Sequence, residues 1–311
     1  MPSVIEYSPE ATVYVVDNAS SDDSVVFMKA HFPMVQLIQN TRNFGFAEGY
    51  NEGLRHVDAE IFALVNSDIE VTPNWLKPLL ETFEKEPEVG IIQPKIRHYK
   101  NKDYFEYAGA AGGFIDQYGY PFCRGRIFET IEKDTKQYDD DCNIFWASGA
   151  CFFIRSSVYH SLNGFDADFF AHQEEIDLCW RAINKGHQIK YSSKSIVYHL
   201  GGATLQKANP QKTFLNFRNS LLMLVKNLPK SSLFKVLFIR LLLDSLAGIQ
   251  FLLKGQPFHT MAIINAHFHF YHLISRSYKK RGQFQSSNYY KTKSIVYLYF
   301  IKKLTTFKEI F

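Results

Sequence analysis

The chain has 311 residues, 46% of them hydrophobic and 21% charged, which suits one large α/β domain, or a medium domain with an appendage, and excludes a disordered protein. Its four cysteines, Cys123, Cys142, Cys151 and Cys179, lack zinc-pair spacing, and their scatter fits a reducing compartment better than a disulfide framework. The net charge of +4 hides a split: from Lys212 onward 16 Lys and Arg face two acids, Asp244 and Glu309, giving +14, whereas residues 1–211 carry −10.

The opening residues, Met1 to Glu6, have neither a basic n-region nor an apolar h-region, so the expected address is cytoplasmic, without a signal peptide. Residues 12–17 are β-branched and apolar and end in Asp17, the pattern of a buried parallel strand. Ser20, Ser21 and Asp22 offer helix caps before Val25. Residues 35–38 read as a strand, 45–55 as a helix, 61–65 as a strand ending at Asn66-Ser67-Asp68, 73–85 as a helix and 89–93 as a strand. The alternation predicts a doubly wound, mostly parallel sheet with ligands bound beyond the carboxyl ends of its strands. Residues 100–142, with Gly109, Gly112, Gly113, Gly119 and Gly125, read as loops and hairpins over a cleft. Residues 150–154 are apolar again, and 174–185 form a helix with Ile176, Cys179, Trp180 and Ile183 on one face and Gly186 as its stop.

The texture changes near residue 212. The runs 221–225, 233–253 and 261–274 are helical and strongly apolar but are broken by Lys226, Lys235, Arg240, Asp244 and Lys254, short of the roughly 20 uninterrupted residues of a spanning helix. Apolar helices edged with Lys and Arg suit the interface of an anionic leaflet. A helical subdomain packed on the core is the alternative. The expected division is therefore a catalytic domain, 1–211, and a basic, apolar helical segment, 212–311, held peripherally at the inner face of the cell membrane.

Five segments carry candidate chemistry, and each also has a plainer reading. Asp17-Asn18 at a strand end suits a nucleobase edge or ribose, or simply caps a turn. In Asn43-Phe44-Gly45-Phe46 through Asn51, small residues at a helix start suit phosphate. Asp68 after Asn66-Ser67 suits Mg2+ or Mn2+ on a diphosphate, since these hard ions need only one or two protein carboxylates; it also reads as a strand-ending turn. Glu174, Glu175 and Asp177 crowd a helix start, where the dipole favours acids, and one of them suits a general base for a sugar hydroxyl. His199 suits the metal or diphosphate, or a structural place.

In order and spacing these segments, with Ser148-Gly149-Ala150-Cys151, His199-Leu200-Gly201-Gly202 and Arg218-Asn219, resemble the family 2 glycosyltransferases of the rhamnosyltransferase-like branch, over about residues 3–220. The resemblance implies a GT-A fold, a nucleoside diphosphate sugar donor, Mg2+ or Mn2+, inversion at the anomeric carbon and no nucleic-acid partner. It places Asp17 at the nucleobase, with Asn18, Asn43, Gly45, Phe46, Asn51 and Asn66 on the donor side. Asp68 and His199 fall at the metal, Glu175 at the base between Glu174 and Asp177, and Trp146, Ser148, Gly149 and Ala150 on the acceptor side. A glycan or lipid-linked glycan is the expected acceptor.

Three features depart from the family pattern. Asn66 and Ser67 stand where an acid or Pro is usual. Glu174-Glu175 replaces Glu-Asp. A first strand is expected upstream of Met1, with Pro2 to Tyr7 as the helix that follows it; a late start is the reading taken. A nucleotidyltransferase is the enzymatic rival, although the basic, Gly-rich phosphate loop it needs is not visible near the first strand. A non-catalytic, membrane-bound remnant is the other rival.

Overall fold

A computed structural model describes residues 1–201 and 209–311. The first hundred residues alternate as the sequence predicts, with one further strand, β4: α1 (Pro2–Glu6), β1 (Tyr14–Asp17), α2 (Ser24–His31), β2 (Gln36–Gln39), α3 (Gly45–Leu54), β3 (Ile61–Val65), β4 (Ile69–Val71), α4 (Lys77–Lys85) and β5 (Val89–His98). The stretch read as loops and hairpins holds a small antiparallel sheet of β6 (Gly113–Ile115), β7 (Pro121–Cys123), β8 (Arg126–Ile127) and β9 (Thr130–Ile131). Then come β10 (Cys142–Ile144), β11 (Cys151–Arg155), α5 (Ser156–Ser161), α6 (Glu174–Asn184) and β12 (Gln188–His199). Among the described residues four α-helices follow, α7 (Pro210–Asn227), α8 (Lys230–Leu253), α9 (Pro257–Lys279) and α10 (Phe307–Ile310), with a short π-helical turn at Tyr297–Ile301 before the last.

The main sheet runs β10-β12-β5-β11-β3, with β4 on the far half of β12. It is mixed, not mostly parallel as expected. β5 and β12 are parallel, but β11 runs antiparallel to β3 and β5, and β10 and β4 run antiparallel to β12. A parallel neighbour needs a crossover, usually a helix. β11 instead enters from the hairpin region, and β4 leaves β3 through the short Asn66–Asp68 turn. β1 and β2 form a separate parallel pair.

Alternation along the strands divides the core between two faces. Ile91, Phe152 and Ile189 join Ile176 and Trp180 of α6 and Leu221–Val225 of α7. Ile92, Phe153 and Val197 join Trp75, Leu79 and Phe83 around α4. Burying a Leu or Met side chain contributes roughly 1.5–3 kcal/mol, so Leu221, Leu222, Met223 and Leu224, all fully buried, bind α7 into the folding unit of the first 200 residues. The boundary expected at residue 212 falls inside the first turn of that helix.

α8 also departs from the sequence reading. Val236, Arg240, Asp244 and Gly248, spaced by four, form its buried face. Arg240 donates to the Tyr118 carbonyl (2.9 Å) and to Ser220 Oγ (2.8 Å), and Asp244 accepts from the Tyr120 hydroxyl (3.1 Å). The two charges that interrupt the apolar run in sequence therefore point inward. The whole 24-residue helix is long and apolar enough, by composition, to cross a membrane.

Candidate active site

Strand pairing assembles the first cluster. β12 ends with His199 paired to Ile69 of β4, which sets Asp68 beside the imidazole: His199 Nε2 lies 3.2 Å from Asp68 Oδ1. The Leu200 amide donates to the Asp68 carbonyl at 3.1 Å. On the other side of β12, the end of β5 pairs back through Arg97 with Phe105, and the Glu106 amide donates to the Ile96 carbonyl. Glu106 Oε2 thereby lies 3.3 Å from His199 Nδ1. Gly201 closes the cluster at φ +67°, where a Cβ would come within 2.9 Å of Glu106 Oε1. Gly202, the other glycine of that motif, lies outside the described residues.

Charge follows from this geometry. Burial works to lower the His199 pKa, but the hydrogen bonds and charges of Asp68 and Glu106 outweigh it and push the imidazole up to about 9. Burial works to raise Asp68, and the hydrogen bond and charge of His199 hold it below the usual carboxylate range. Asp68 opens on a cleft of about 740 Å³, lined also by Ser67, Tyr99 and Leu200 and by Glu6 and Tyr7 of the α1 region. Among the described residues no group of three or more His, Cys, Asp or Glu is arranged as a metal cage. Asp68 nevertheless fits a hard divalent ion, which takes few protein donors and completes its shell with waters and phosphate oxygens, and His199 would join it only on giving up its proton to the incoming cation. Glu106 then fits as the carboxylate that orients a ligating imidazole from its other nitrogen.

The second cluster begins α6 after a strained approach. Phe170, His172 and Gln173 sit at φ of 62°, 70° and 72°, conformations that cost on the order of 1–3 kcal/mol each in non-glycine residues. α7 holds them there. Asn219 Nδ2 donates to the carbonyls of Phe169, Ala171 and His172 at 2.9, 2.9 and 2.7 Å, and Arg218 donates to those of Asp168 and Phe169. From the opposite side the Phe46 and Ala47 amides donate to the Phe170 carbonyl at 2.7 and 3.2 Å.

Three acids in one turn of α6 have three environments. Asp177 is fully buried and bonded to Lys226 (2.8 Å), Arg181 (2.7 Å) and Asn227 (2.9 Å). Burial works to raise it, yet Lys226 and Arg181 hold its carboxyl below the usual range. Glu174 is buried and is pushed well above the usual range by burial and by the charge of Glu175. Glu175 is half-buried and is pushed up to about 7 by burial, against the pull of backbone amides that include Gly149. The Oε2 atoms of Glu174 and Glu175 are buried without a hydrogen-bond partner among the described residues.

Gly149 faces Glu175: a Cβ there would lie 3.7 Å from Glu175 Cδ and 3.5 Å from the Phe46 ring. The turn is fixed by Gln93, whose Oε1 accepts from the Ser148 amide (2.8 Å), and by Ser148 Oγ donating to the Ala108 carbonyl (2.6 Å). The Asn66 amide donates to the Ala150 carbonyl at 2.9 Å. Gly149 and Ala150 thus bridge Glu175 to the strand end that carries Asp68. Trp146 is buried, its ring against Gly113 and its Nε1–H donating to the Phe114 carbonyl.

On the donor side the side chains are largely bonded within the protein. Asp17 is buried and accepts from the Ser20 amide. Asn18 donates to Asn43 Oδ1 and the Gly45 carbonyl and accepts from Asn40 and the Phe44 amide. Asn51 bonds Glu48 within α3 and joins that helix to Tyr159 and to the amide and carbonyl of Phe165. The start of α3, expected to face a phosphate, faces the Phe170 carbonyl instead, and Gly45 at φ +77° has the Phe170 ring where a Cβ would be. Sequence reasoning missed Glu106, Gln93 and Lys226. It quoted Arg218-Asn219 without a role; their place just before the apolar run Leu221–Val225 of the same helix was the available signal.

Residues 2–162 match the family model for glycosyl transferase family 2. The chain is 24% identical over 206 residues to N-acetylglucosaminyl-diphospho-decaprenol L-rhamnosyltransferase of Mycobacterium tuberculosis, covering 60% of this chain and 66% of that protein. It is 24% identical over 220 residues to the low-salt glycan biosynthesis hexosyltransferase Agl10 of Haloferax volcanii, covering 68% of this chain and 66% of that protein. The chain therefore spans just under two thirds of the length of these relatives. Among solved structures, GalNAc-T7 with UDP, GalNAc and Mn2+ superposes with a TM-score of 0.57 at 14% identity, covering 73% of this chain and 44% of that one. The mannosyltransferase PcManGT of Pyrobaculum calidifontis with GDP-Man and Mn2+ gives 0.50 at 14% identity, covering 87% and 81%. These likenesses show the GT-A fold.

Proposed function

This chain belongs to glycosyl transferase family 2, and we propose that it is an inverting, metal-dependent glycosyltransferase. It moves a sugar from a nucleoside diphosphate sugar to a hydroxyl of a glycan or lipid-linked glycan, in the synthesis of a cell-surface polysaccharide at the cytoplasmic face of a membrane. The observation that carries the reading is the placement of Glu175, a half-buried carboxyl that burial pushes up to about 7, set against Gly149 and bridged through Ala150 to the Asp68 strand end. The relatives, a rhamnosyltransferase and a glycan hexosyltransferase, support the reaction class.

Glu175 takes the proton of the acceptor hydroxyl as that oxygen bonds to the anomeric carbon. The bond from that carbon to the donor diphosphate breaks, and its electron pair leaves on the diphosphate. A base with a pKa near the working pH combines a useful ionised fraction with proton affinity, and such catalysis supplies typically about 10²–10⁴-fold. Asp68 and His199 would hold Mg2+ or Mn2+, whose chemistry there is charge stabilisation on the diphosphate. Asp17 serves the nucleobase end of the donor. Gly149, with no side chain, leaves room beside Glu175 for the acceptor. Donor hydrolysis and transfer assays with and without chelator test the reading; metal-independent transfer at full rate removes the metal from it.

A further inference from the structure

The sequence offers the basic residues beyond 212 as the membrane contact, but the fold uses many of them internally. Lys226 pairs with Asp166 and Asp177, Arg240 with Asp244, and Arg276 and Lys280 with the Asp166–Asp168 turn. Arg281 donates to the Val225 and Leu228 carbonyls. Beside the lysines that stay outside, the fold leaves a broad apolar face exposed.

α8 and α9 pack side by side as a hairpin. Thr260 Oγ1 donates to the Gly248 carbonyl (2.8 Å), the Phe251 and His259 rings stack with centroids 4.8 Å apart, and His267 lies 3.3 Å from Asp244. With these residues turned inward, α8 exposes Phe234, Phe238, Leu242, Leu246, Ile249 and Leu253, at helical spacings of four, four, four, three and four. That strip runs the length of a helix of about 36 Å. α9 exposes Phe258, Met261, Ile264, Phe268 and Tyr271. Phe234 and Leu253 are each 83% exposed and Phe258 76%, so both ends of the strip and the hairpin turn are bare. An exposed apolar face of this extent marks an interaction surface.

We infer that this two-helix face docks into the acyl boundary of an anionic bilayer, with the hairpin lying along the surface. The inference deepens the membrane reading above and rests on it. Charge selects the occupant. Between Lys230 and Lys280 the sole acid is Asp244, which is buried, whereas Lys230, Lys235 and Lys254 border the strip at its two ends. Two copies meeting through this face would bring lysine against lysine, while anionic headgroups complement it. The inner face of α8 is bonded to Tyr118, Tyr120, Ser220 and α9, so the helix lies on its own protein and offers the bilayer one side only, the interfacial arrangement.

The test uses the full chain, flotation with phosphatidylcholine vesicles with and without phosphatidylglycerol, and the triple variant Phe238→Ser, Leu242→Ser, Leu246→Ser. These side chains are exposed, so the thermal midpoint and donor turnover of the variant should match the parent. Its vesicle affinity should fall by about 100-fold or more on both compositions. Lys235→Gln with Lys254→Gln should cost roughly fivefold per lysine, and only on anionic vesicles. A parent that floats together with a triple variant that floats equally well overturns this inference and returns the contact to the basic residues. A parent that floats on neither composition overturns the membrane reading itself. A lipid-free parent dimer that the triple variant dissolves assigns the face to a second copy of the chain, and also overturns it.

Discussion

Two acidic clusters stand on either side of the Gly149–Ala150 turn, and they differ in what the fold sets against them. Asp68 and Glu106 share His199, and the imidazole is held protonated to about pH 9. Glu174 and Glu175 have burial and each other, and both carboxyls are pushed up. Asp177, a few residues along the same helix, is the internal control: at least as buried, but met by Lys226 and Arg181, it stays low. Residue type and helix position therefore do not decide which acid takes protons. The basic partner supplied from another element does. The His-partnered cluster suits a diphosphate, and a cation only where it displaces the His199 proton, whereas the unpartnered cluster suits proton transfer.

The largest effect that sharpens this contrast comes from comparing Asp177→Asn with Glu175→Gln. Removing one member of a buried ion pair costs about 3–5 kcal/mol, so Asp177→Asn should lower unfolding free energy by that order in a urea titration. Glu175→Gln should fold normally and bind donor, while transfer falls by about 10²-fold or more. Near-normal turnover in Glu175→Gln, with collapse in a folded Asp177→Asn, moves the base to Asp177 and breaks the comparison.

At the other cluster, Asp68→Asn should abolish most metal-dependent binding of a nucleoside diphosphate by calorimetry, and chelation of the parent should reproduce the defect. His199→Ala should give a milder version. Donor binding indifferent to both variants and to chelator rules out the metal role. Glu106→Gln should weaken Mn2+ affinity by about tenfold, the low end for partners that orient a ligating imidazole, with the thermal midpoint little changed. An unaltered Mn2+ affinity makes Glu106 merely structural.

The smallest effect concerns pH. Glu175 acts as a base only when ionised, so transfer should rise about tenfold per pH unit below about 7 and level off above. Its folded pKa lies above the unfolded value of a Glu, so its contribution to stability is full below about pH 4.5 and is lost as pH rises through about 7. Discounted for partial exposure, that loss is roughly 1–2 kcal/mol. Activity and stability should thus move in opposite directions over this range, and Glu175→Gln should be the more stable protein at pH 8 by thermal melts. Parallel movement of the two profiles places the tuned group elsewhere.

Much of the α/β order was legible because apolar periodicity is local. The strand at 61–65 and the helix opening at Glu174 are read directly from runs of residues that must bury one face. Strand direction was not legible. The antiparallel entry of β11 depends on the chain returning through β6–β10 without a helical crossover, and nothing in residues 151–155 records it. Asp68, Glu175 and His199 stood out as acids or a histidine ending strands or starting a helix. Glu106 did not, because it lies in an irregular stretch and gains its place only through the pairing of Arg97 with Phe105.

The C-terminal helical segment divides in the same way. The sequence by itself determined that residues 212–311 are apolar, helical and basic, since composition and period are properties of the chain. Only the tertiary structure decided that Arg240 and Asp244 turn inward, that Lys226 serves Asp177 and that the outer strip of α8 carries no charge between Lys235 and Lys254. A buried charge must find its partner across the fold. The location of that partner decides which side of the helix is left for anything else to touch.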